Sequence, residues 1–188
     1  NQKLPGSVAH RKMLPENRNL TIPPSDKIRV KNSSVLLLLF PENNEIVACL
    51  IKRPKHMRHH AGQIALPGGK IEENESALET AFRETSEEIG IQTENIKILG
   101  KLSELYVDVS RFLIHPFIGW LDEKPKFEIN KNEVDKIVLF PLFNYKNSFD
   151  QVELETKTGK LNVPCIKFEG EIIWGATAMI LSEFYDVL

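Results

Sequence analysis

Three glutamates in the middle of the chain are spaced so that they could bind one divalent cation together. Glu84, Glu87 and Glu88 stand at i, i+3 and i+4, and residues so spaced are neighbours on an α-helix. Like charges at this spacing destabilise a helix by roughly 0.2–0.5 kcal/mol per pair. Mg²⁺ takes carboxylate oxygens together with waters and substrate phosphates. We favour a metal site, because the alternative, a solvated acidic face, would normally interleave lysines and none stands here.

Residues 75–89 are the predicted helix that presents these carboxylates. One arc of about 100° carries the core-facing residues Leu78, Ala81, Phe82, Thr85 and Ile89, and the three glutamates fall in a separate arc. Ser76 and Glu79 have the spacing of a capping box. Gly90 supplies a helix stop. The pattern therefore predicts an amphipathic helix with one acidic side.

A basic segment precedes this helix. From Lys52 to His60 the chain carries Lys52, Arg53, Lys55, Arg58 and three of its five histidines, with no acid. Arginine and lysine recognise phosphates by charge, and arginine also by a fork of donors. A basic loop before a metal-binding helix suits a polyphosphate ester, although an ordinary solvated loop is the alternative. We expect Arg53, Arg58 and His60 to bind substrate.

The remaining pattern predicts an α+β fold with a mixed sheet. SVLLLLF and EIVACLI are apolar runs separated by PENN, which predicts a hairpin of buried strands. ALPGGKIE is strand-like and ends in a glycine turn. Further strand-like segments are IKILGKLSELYV, RFLIHPFIGWL, KIVLFPLFNY and VELETKTGKLNVPCIKFEGEIIW, the last with turns at Gly159 and Gly170. ATAMILSEFYDVL is typical of an amphipathic helix, and helices so far apart in sequence favour packing onto a sheet.

The length of 188 residues predicts one domain at 34–188. We expect an irregular arm at 1–33, rich in proline and poor in apolar periodicity, to precede it.

A net charge of −2 gives no indication of nucleic-acid binding. The longest apolar run, VLLLLF, is too short to span a membrane. Two cysteines fit a reducing compartment, so we expect a cytoplasmic protein. A homodimer is left open, and so are upstream targeting residues, since the first residue is Asn.

The stretch GGKIEENESALETAFRETSEEIGI resembles the Nudix box, Gly-x5-Glu-x7-Arg-Glu-U-x-Glu-Glu-x-Gly-U, where U is bulky and apolar. The fixed positions hold Gly69, Glu75, Arg83, Glu84, Glu87, Glu88, Gly90 and Ile91, and the one departure is Thr85 at the first U. The resemblance implies a Nudix-type α/β/α sandwich with a mixed sheet. It also implies hydrolysis of a nucleoside diphosphate linked to another moiety, with Mg²⁺ or Mn²⁺ as cofactor.

The same resemblance implies roles for the matching residues. Glu84 and Glu88 are expected to be the principal metal ligands, with Glu87 also in the shell. Arg83 and Glu75 are expected to orient them, and Arg83 joins the three glutamates in our set of catalytic residues. The general base is open, with a glutamate of the box favoured. In some Nudix enzymes a loop acid serves instead, but we interpret Glu133 and Asp135 as polar residues at the start of a strand.

The basic segment resembles a narrower motif of the coenzyme A diphosphatases within this family, Leu-Leu-Thr-x-Arg-Ser…Arg-x3-Gly-x3-Phe-Pro-Gly-Gly. The matching run holds Leu50, Ile51, Lys52, Arg53, Arg58, Gly62, Leu66, Pro67, Gly68 and Gly69, with Pro54 in place of Ser and Leu66 in place of Phe. HRKMLPENR and IIWGATAMIL are also similar to this subfamily. The resemblance implies cleavage of coenzyme A or its thioesters to 3′,5′-ADP and 4′-phosphopantetheine, with Gly68 and Gly69 at the substrate.

Two other functions stay open from the sequence. A Nudix enzyme for ADP-ribose, a dinucleotide or a nucleoside triphosphate would keep the acidic helix but leave the basic motif unexplained. A Nudix domain without catalysis could act as a ligand sensor. Such domains usually have broken box carboxylates, whereas all are present in this chain.

Overall fold

A mixed sheet forms the centre of the molecule. The computed structural model describes residues 3–16, 18–24, 30–146, 148–156 and 159–188. Within these residues the sheet has eight strands: β1 (Lys31–Glu42), β2 (Glu45–Lys52), β3 (Ile64–Ala65), β4 (Gly68–Lys70), β5 (Lys97–Lys101), β6 (Leu105–Val107), β7 (Phe112–Trp120) and β8 (Lys136–Pro141). A second sheet contains β9 (Asp150–Thr156), β10 (Gly159–Phe168) and β11 (Glu171–Trp174). The helices are α1 (Ser7–Arg11), α2 (Ala77–Ile89) and α3 (Gly175–Val187).

Strands β1 and β2 form the predicted hairpin and then diverge. Their register pairs Leu39–Glu42 of β1 with Glu45–Ala48 of β2. Further along, β4 pairs with the start of β1 on its β2 side, because the other side of β1 is taken by the parallel strand β7. Likewise β3 pairs with the end of β2, opposite β8. The two short strands therefore fill the gap between β1 and β2, and this places the Gly68–Gly69 pair inside the sheet.

Both faces of the sheet are covered, which explains why the β1 sequence is continuously apolar. Leu36, Leu38 and Phe40 pack in a core with α2 residues such as Ala81 and Ile89. The alternate residues Leu37 and Leu39 pack in a second core with α3 and the second sheet. The predicted α/β/α arrangement with a mixed sheet is therefore confirmed.

Helix α2 has the predicted ends. Ser76 and Glu79 form a capping box in which the Glu79 N–H donates to the Ser76 hydroxyl at 3.3 Å and the Ser76 N–H donates to the Glu79 carboxylate at 2.8 Å. Gly90 ends the helix with φ 70°, a conformation that favours glycine. Thr85, the departure from the box pattern, is buried, and its hydroxyl donates to the Ala81 carbonyl at 2.6 Å.

The N-terminal residues differ in part from the predicted irregular arm. Ser7–Arg11 form the short helix α1, and β1 begins at Lys31, before the predicted boundary at Ser34. Helix α1 packs against α3. The buried Glu183 carboxylate of α3 accepts from the Gly6 N–H at 2.9 Å and contacts His10 Nε2 at 2.9 Å. The division into arm and domain stays a prediction, and its residues 1, 2, 17 and 25–29 lie outside the described residues.

The other predicted elements are present, with shifted bounds. The segment after the box forms β5 and β6, and the C-terminal segment forms the three strands of the second sheet followed by α3. Gly170 lies in the turn between β10 and β11, whereas residues 157 and 158 of the turn expected at Gly159 lie outside the described residues. None of the helices in the described ranges is both long and apolar enough to cross a membrane.

Candidate active site

Three carboxylates meet where α2 crosses the sheet. One oxygen from each of Glu84, Glu88 and Glu133 lies within 4.8 Å of the other two. Glu84 and Glu88 are on α2, one helical turn apart, and Glu133 comes from the segment that joins β7 to β8. Carboxylate oxygens are the ligands that Mg²⁺ and Mn²⁺ prefer. The donor set therefore fits a hard divalent cation.

Two glycines provide the space for this cluster. The Gly68 N–H donates to Glu88 Oε2 at 2.9 Å, and the φ of Gly68 is 150°. A Cβ at Gly68 would collide with the backbone of Ser34, and a Cβ at Gly69 would collide with the Glu84 carboxylate. Side chains at either position would therefore displace the strand or the carboxylate.

Burial and mutual repulsion make the charged state of these carboxylates unfavourable when no cation lies among them. Burial, together with the smaller effect of the charges on Glu84 and Glu133, raises the pKa of Glu88 to about 8, against the lowering effect of the Gly68 N–H and Arg53. Burial also raises the pKa of Glu84, which Arg83 counteracts. A cation among these oxygens would offset both the desolvation and the repulsion. This electrostatic state supports the metal site on grounds independent of the spacing.

Arg83 connects the cluster to the start of α2. Its Nε and Nη2 donate to the two oxygens of Glu75 at 2.8 and 3.1 Å, and its Nη1 donates to Glu84 and to Glu87, each at 3.0 Å. Hydrogen bonds from Arg83 and Thr80 lower the pKa of Glu75 to about 2. Glu75 thus fixes a guanidinium that in turn holds Glu84, and the orienting role of both residues stays a prediction.

The structure does not bring Glu87 into the carboxylate group. Its side chain is 53% exposed and is paired with Arg83. Glu84 and Glu88 point toward β4, whereas Glu87, at the intermediate spacing, turns outward to solvent. Within the described residues the three-carboxylate group contains Glu133 where the sequence predicted Glu87.

Of the predicted basic residues, the structure brings Arg53 to the cluster. Its Nη1 lies 3.4 Å from Glu88 Oε1. Its Nε is buried and has no hydrogen-bond partner among the described residues. A buried donor without a partner is costly, so this N–H is available for an acceptor that a ligand would bring.

The rest of the basic loop is closed at its base and exposed at its tip. The Arg53 N–H donates to the Gln63 carbonyl at 2.9 Å, and the Gly62 N–H donates to the Arg53 carbonyl at 3.0 Å. Arg58 is exposed. His60 is also exposed, with φ 55° and its Nδ1 bonded to the Gln63 side chain at 2.8 Å. The structure therefore places Arg58 and His60 on the same loop as Arg53 but not in contact with the carboxylates.

Glu133 is the site residue that sequence reasoning undervalued. We interpreted it as a polar residue before a strand, and it does precede β8, but it also completes the carboxylate group. Asp135, considered alongside it, is exposed and is outside the group. Two indications were available: Glu133 is an acid in the long β7–β8 connection, and long connections are often functional; the family resemblance also includes enzymes in which a loop acid is the general base.

The fold and the site have the features of one class of protein, a metal-dependent hydrolase with a carboxylate cluster on a helix above a mixed sheet. The family model described as the NUDIX domain matches residues 30–156, and the chain belongs to this family. It is 33% identical over 137 residues to the uncharacterized Nudix hydrolase NudL of Pectobacterium atrosepticum, covering 71% of each chain. Against the NudL of Yersinia enterocolitica it is 36% identical over 135 residues, 70% of this chain and 69% of that protein.

Solved structures agree on the fold. The Nudix hydrolase RenU of M. smegmatis superposes with a TM-score of 0.61 at 16% identity, over 93% of this chain and 92% of that one. The MutT protein of Methanosarcina mazei gives a TM-score of 0.55 at 21% identity, over 84% of this chain and 94% of that one. The chain is a Nudix hydrolase, in the class that acts on nucleoside diphosphate derivatives.

Proposed function

We propose that the enzyme hydrolyses the diphosphate bond of coenzyme A or its thioesters to 3′,5′-ADP and 4′-(acyl)phosphopantetheine. The observation that carries this proposal is Arg53, which joins the basic loop to the carboxylate cluster through Glu88 and keeps a buried, unpartnered Nε–H beside it. A substrate with a diphosphate and one further phosphate would contact both the carboxylate cluster and the basic loop. The diphosphate would lie at the cluster, and the 3′-phosphate would meet the exposed basic loop.

The proposed cofactor is Mg²⁺ or Mn²⁺, held by Glu84, Glu88 and Glu133. When bound, such a cation polarises a phosphoryl oxygen and lowers the pKa of water. The fit rests on the hard donor set, on the glycine space around it, and on the pKa of Glu88, which burial raises to about 8 in the absence of a cation.

The chain's own residues have distinct parts in the proposed reaction. The oxygen of one water bonds to one phosphorus, and the bond from that phosphorus to the bridging oxygen breaks, so the bridging oxygen leaves with the other phosphate. A carboxylate of the cluster accepts the proton of the water. Arg83 holds Glu84 in place, and Arg53 donates to a phosphate oxygen, where a charge-assisted hydrogen bond is strong.

A product assay tests the proposal. The protein is incubated separately with coenzyme A, ADP-ribose, NADH and a nucleoside triphosphate, each with Mg²⁺ and with EDTA, and the products are separated by chromatography. We expect 3′,5′-ADP to appear only in the tube that contains coenzyme A and Mg²⁺, and not in the tube that contains coenzyme A and EDTA. Turnover confined to another substrate would overturn the assignment of the basic loop, and no turnover in any tube would favour a ligand sensor.

A matched pair of variants sharpens this assay. Arg58→Gln removes one cation from the tip of the basic loop, whereas Lys126→Gln removes one from an exposed position of the β7–β8 connection. We expect Arg58→Gln to raise the KM for coenzyme A and to change the KM for dephospho-coenzyme A little, since that analogue lacks the 3′-phosphate. Lys126→Gln should change neither constant. Equal changes for both substrates in Arg58→Gln would count against a 3′-phosphate contact.

A further inference from the structure

The segment that carries Glu133 is attached to the C-terminal end of α2. The last carbonyls of a helix have no partner within the helix. The Glu128 N–H donates to the Ile89 carbonyl at 2.9 Å, and the Asn130 N–H donates to the Glu88 carbonyl at 3.0 Å. A Cβ at Gly90 would collide with the Glu128 carbonyl, so glycine both ends the helix and admits the segment. The β7–β8 connection is thus fixed to the helix that holds the other two carboxylates.

Asn130 then folds the chain back toward the cluster. Its carbonyl accepts from the Glu133 N–H at 3.0 Å and from the Val134 N–H at 2.8 Å. Its side-chain Oδ1 accepts from the Asn132 N–H at 3.1 Å, the arrangement of an Asx turn. Because Oδ1 is occupied by this donor, Nδ2 faces Glu133 and lies 3.4 Å from its Oε1. Val134, which follows, is fully buried in the core on the α2 side.

We infer that Asn130 is a positioning residue that holds the Glu133 carboxylate in the metal site. Glu84 has Arg83 as its partner and Glu88 has the Gly68 N–H and Arg53. Among the described residues, the Glu133 side chain has one hydrogen-bond partner, which is Asn130. Glu133 also lies on a loop rather than on a helix, so its placement depends on this turn. The inference rests on the metal site of the proposed function and adds the residue that completes it.

An alternative is that Asn130 stabilises the turn and nothing more. The two roles differ in what they predict for metal affinity. Partners that orient a metal ligand typically contribute about 10- to 100-fold in affinity or activity. A residue that only stabilises a turn would shift the unfolding midpoint and leave the metal affinity of the folded protein unchanged. The effect of a positioning residue must also disappear once its target carboxylate is removed.

The test is a Mn²⁺ titration of the full chain, followed by the EPR signal of free Mn²⁺. It uses the wild type, Asn130→Ala, Glu133→Ala and the double variant. The matched control is Asn144→Ala, since Asn144 Nδ2 donates to Glu45 Oε1 at 2.7 Å by the same kind of bond at the start of β2. We expect Asn130→Ala to weaken Mn²⁺ binding about 10-fold, the control to have no effect, and the double variant to match Glu133→Ala.

Two results would overturn the inference. One is an unchanged Mn²⁺ affinity in folded Asn130→Ala. The other is a further loss when Asn130→Ala is added to Glu133→Ala, because Asn130 would then act on something other than Glu133. If Asn130→Ala does not fold, Asn130→Ser takes its place in the titration. The serine hydroxyl keeps an acceptor for the turn, but the variant lacks the amide donor that faces Glu133. The same weakening of Mn²⁺ binding is expected, and an unchanged affinity refutes the inference.

The titration contains no substrate, so its outcome is separate from that of the product assay. Failure of the coenzyme A assignment would leave the Mn²⁺ results interpretable as they stand. If the enzyme does cleave coenzyme A, we expect Asn130→Ala to lower kcat at saturating Mg²⁺ and to change the KM for coenzyme A little. A change confined to KM would instead place Asn130 at the substrate and refute the positioning role.

Discussion

Gly69 and Glu84 occupy complementary space, because a methyl group at Gly69 would lie within the volume filled by the Glu84 carboxylate. This glycine has no positive φ, so its backbone would accept alanine. What excludes a side chain at Gly69 is the carboxylate of the candidate metal site. The glycine is thereby tied to the position of a proposed ligand more than to the conformation of the strand.

Gly69→Ala should therefore impair activity more than stability. We expect a loss in kcat of at least about 10-fold, since Glu84 must turn away from Glu88 and Glu133. Gly100→Ala is the control, because a Cβ at Gly100, also on a strand, would meet none of the described residues within 4 Å. Thermal unfolding and turnover are measured for both variants. Full activity in Gly69→Ala would show that Glu84 can move without consequence and would remove it from the ligand set.

Glu88→Gln is a second variant that should affect the candidate metal site and leave the fold intact. The amide oxygen can still accept from the Gly68 N–H, while the charge that burial disfavours is lost. We expect a normal circular dichroism spectrum, an unfolding midpoint without metal at least equal to that of the wild type, and activity reduced more than about 100-fold. Mg²⁺ should raise the midpoint of the wild type and leave that of the variant unchanged. Turnover near the wild-type level would contradict the metal assignment.

The parts of the site that depend on local sequence were predictable. The ends of α2 follow from Ser76, Glu79 and Gly90, which act within a few residues of their own positions. The spacing of Glu84 and Glu88 places them on one side of the helix whatever the helix packs against. The same local reasoning included Glu87, and only the packing of α2 against β4 distinguishes the inward carboxylates from the outward one.

The parts that depend on distant contacts were not predictable. Glu133 reaches the cluster because Glu128 and Asn130 bond to the last carbonyls of α2, and no spacing in the sequence reports those bonds. Helix α1 was missed for a similar reason. At five residues it is too short to be stable alone, and it is held by Glu183, far along the chain on α3.

Replacing arginine by lysine should reduce activity at Arg53 but have little effect at Arg58. Arg53→Lys keeps a cation beside Glu88 but removes the buried Nε–H, and lysine does not replace the planar donor set of arginine. We expect Arg53→Lys to lower kcat/KM for coenzyme A about 10-fold and Arg58→Lys to have little effect, because an exposed cation can be exchanged for another. Steady-state kinetics on both variants would check this. Equal effects would mean that the fork at Arg53 has no special contact with substrate.

The Glu183 carboxylate makes the stability of the fold depend on pH. Burial alone would raise its pKa, but hydrogen bonds from His10, Ser103 and Gly6 outweigh burial and hold the pKa below its ordinary value. A carboxyl whose pKa is lowered in the folded state stabilises that state at pH values above the pKa of the unfolded chain, and this stability is lost as pH falls through the folded pKa.

Glu183→Gln should thus lower the free energy of unfolding by about 1–3 kcal/mol at pH 7 and by less at acidic pH. Urea unfolding of both proteins at pH 7 and at pH 4 measures the difference, and Glu123→Gln, at an exposed position, is the control. A cost that stays constant between the two pH values would mean that Glu183 contributes through packing and not through its charge.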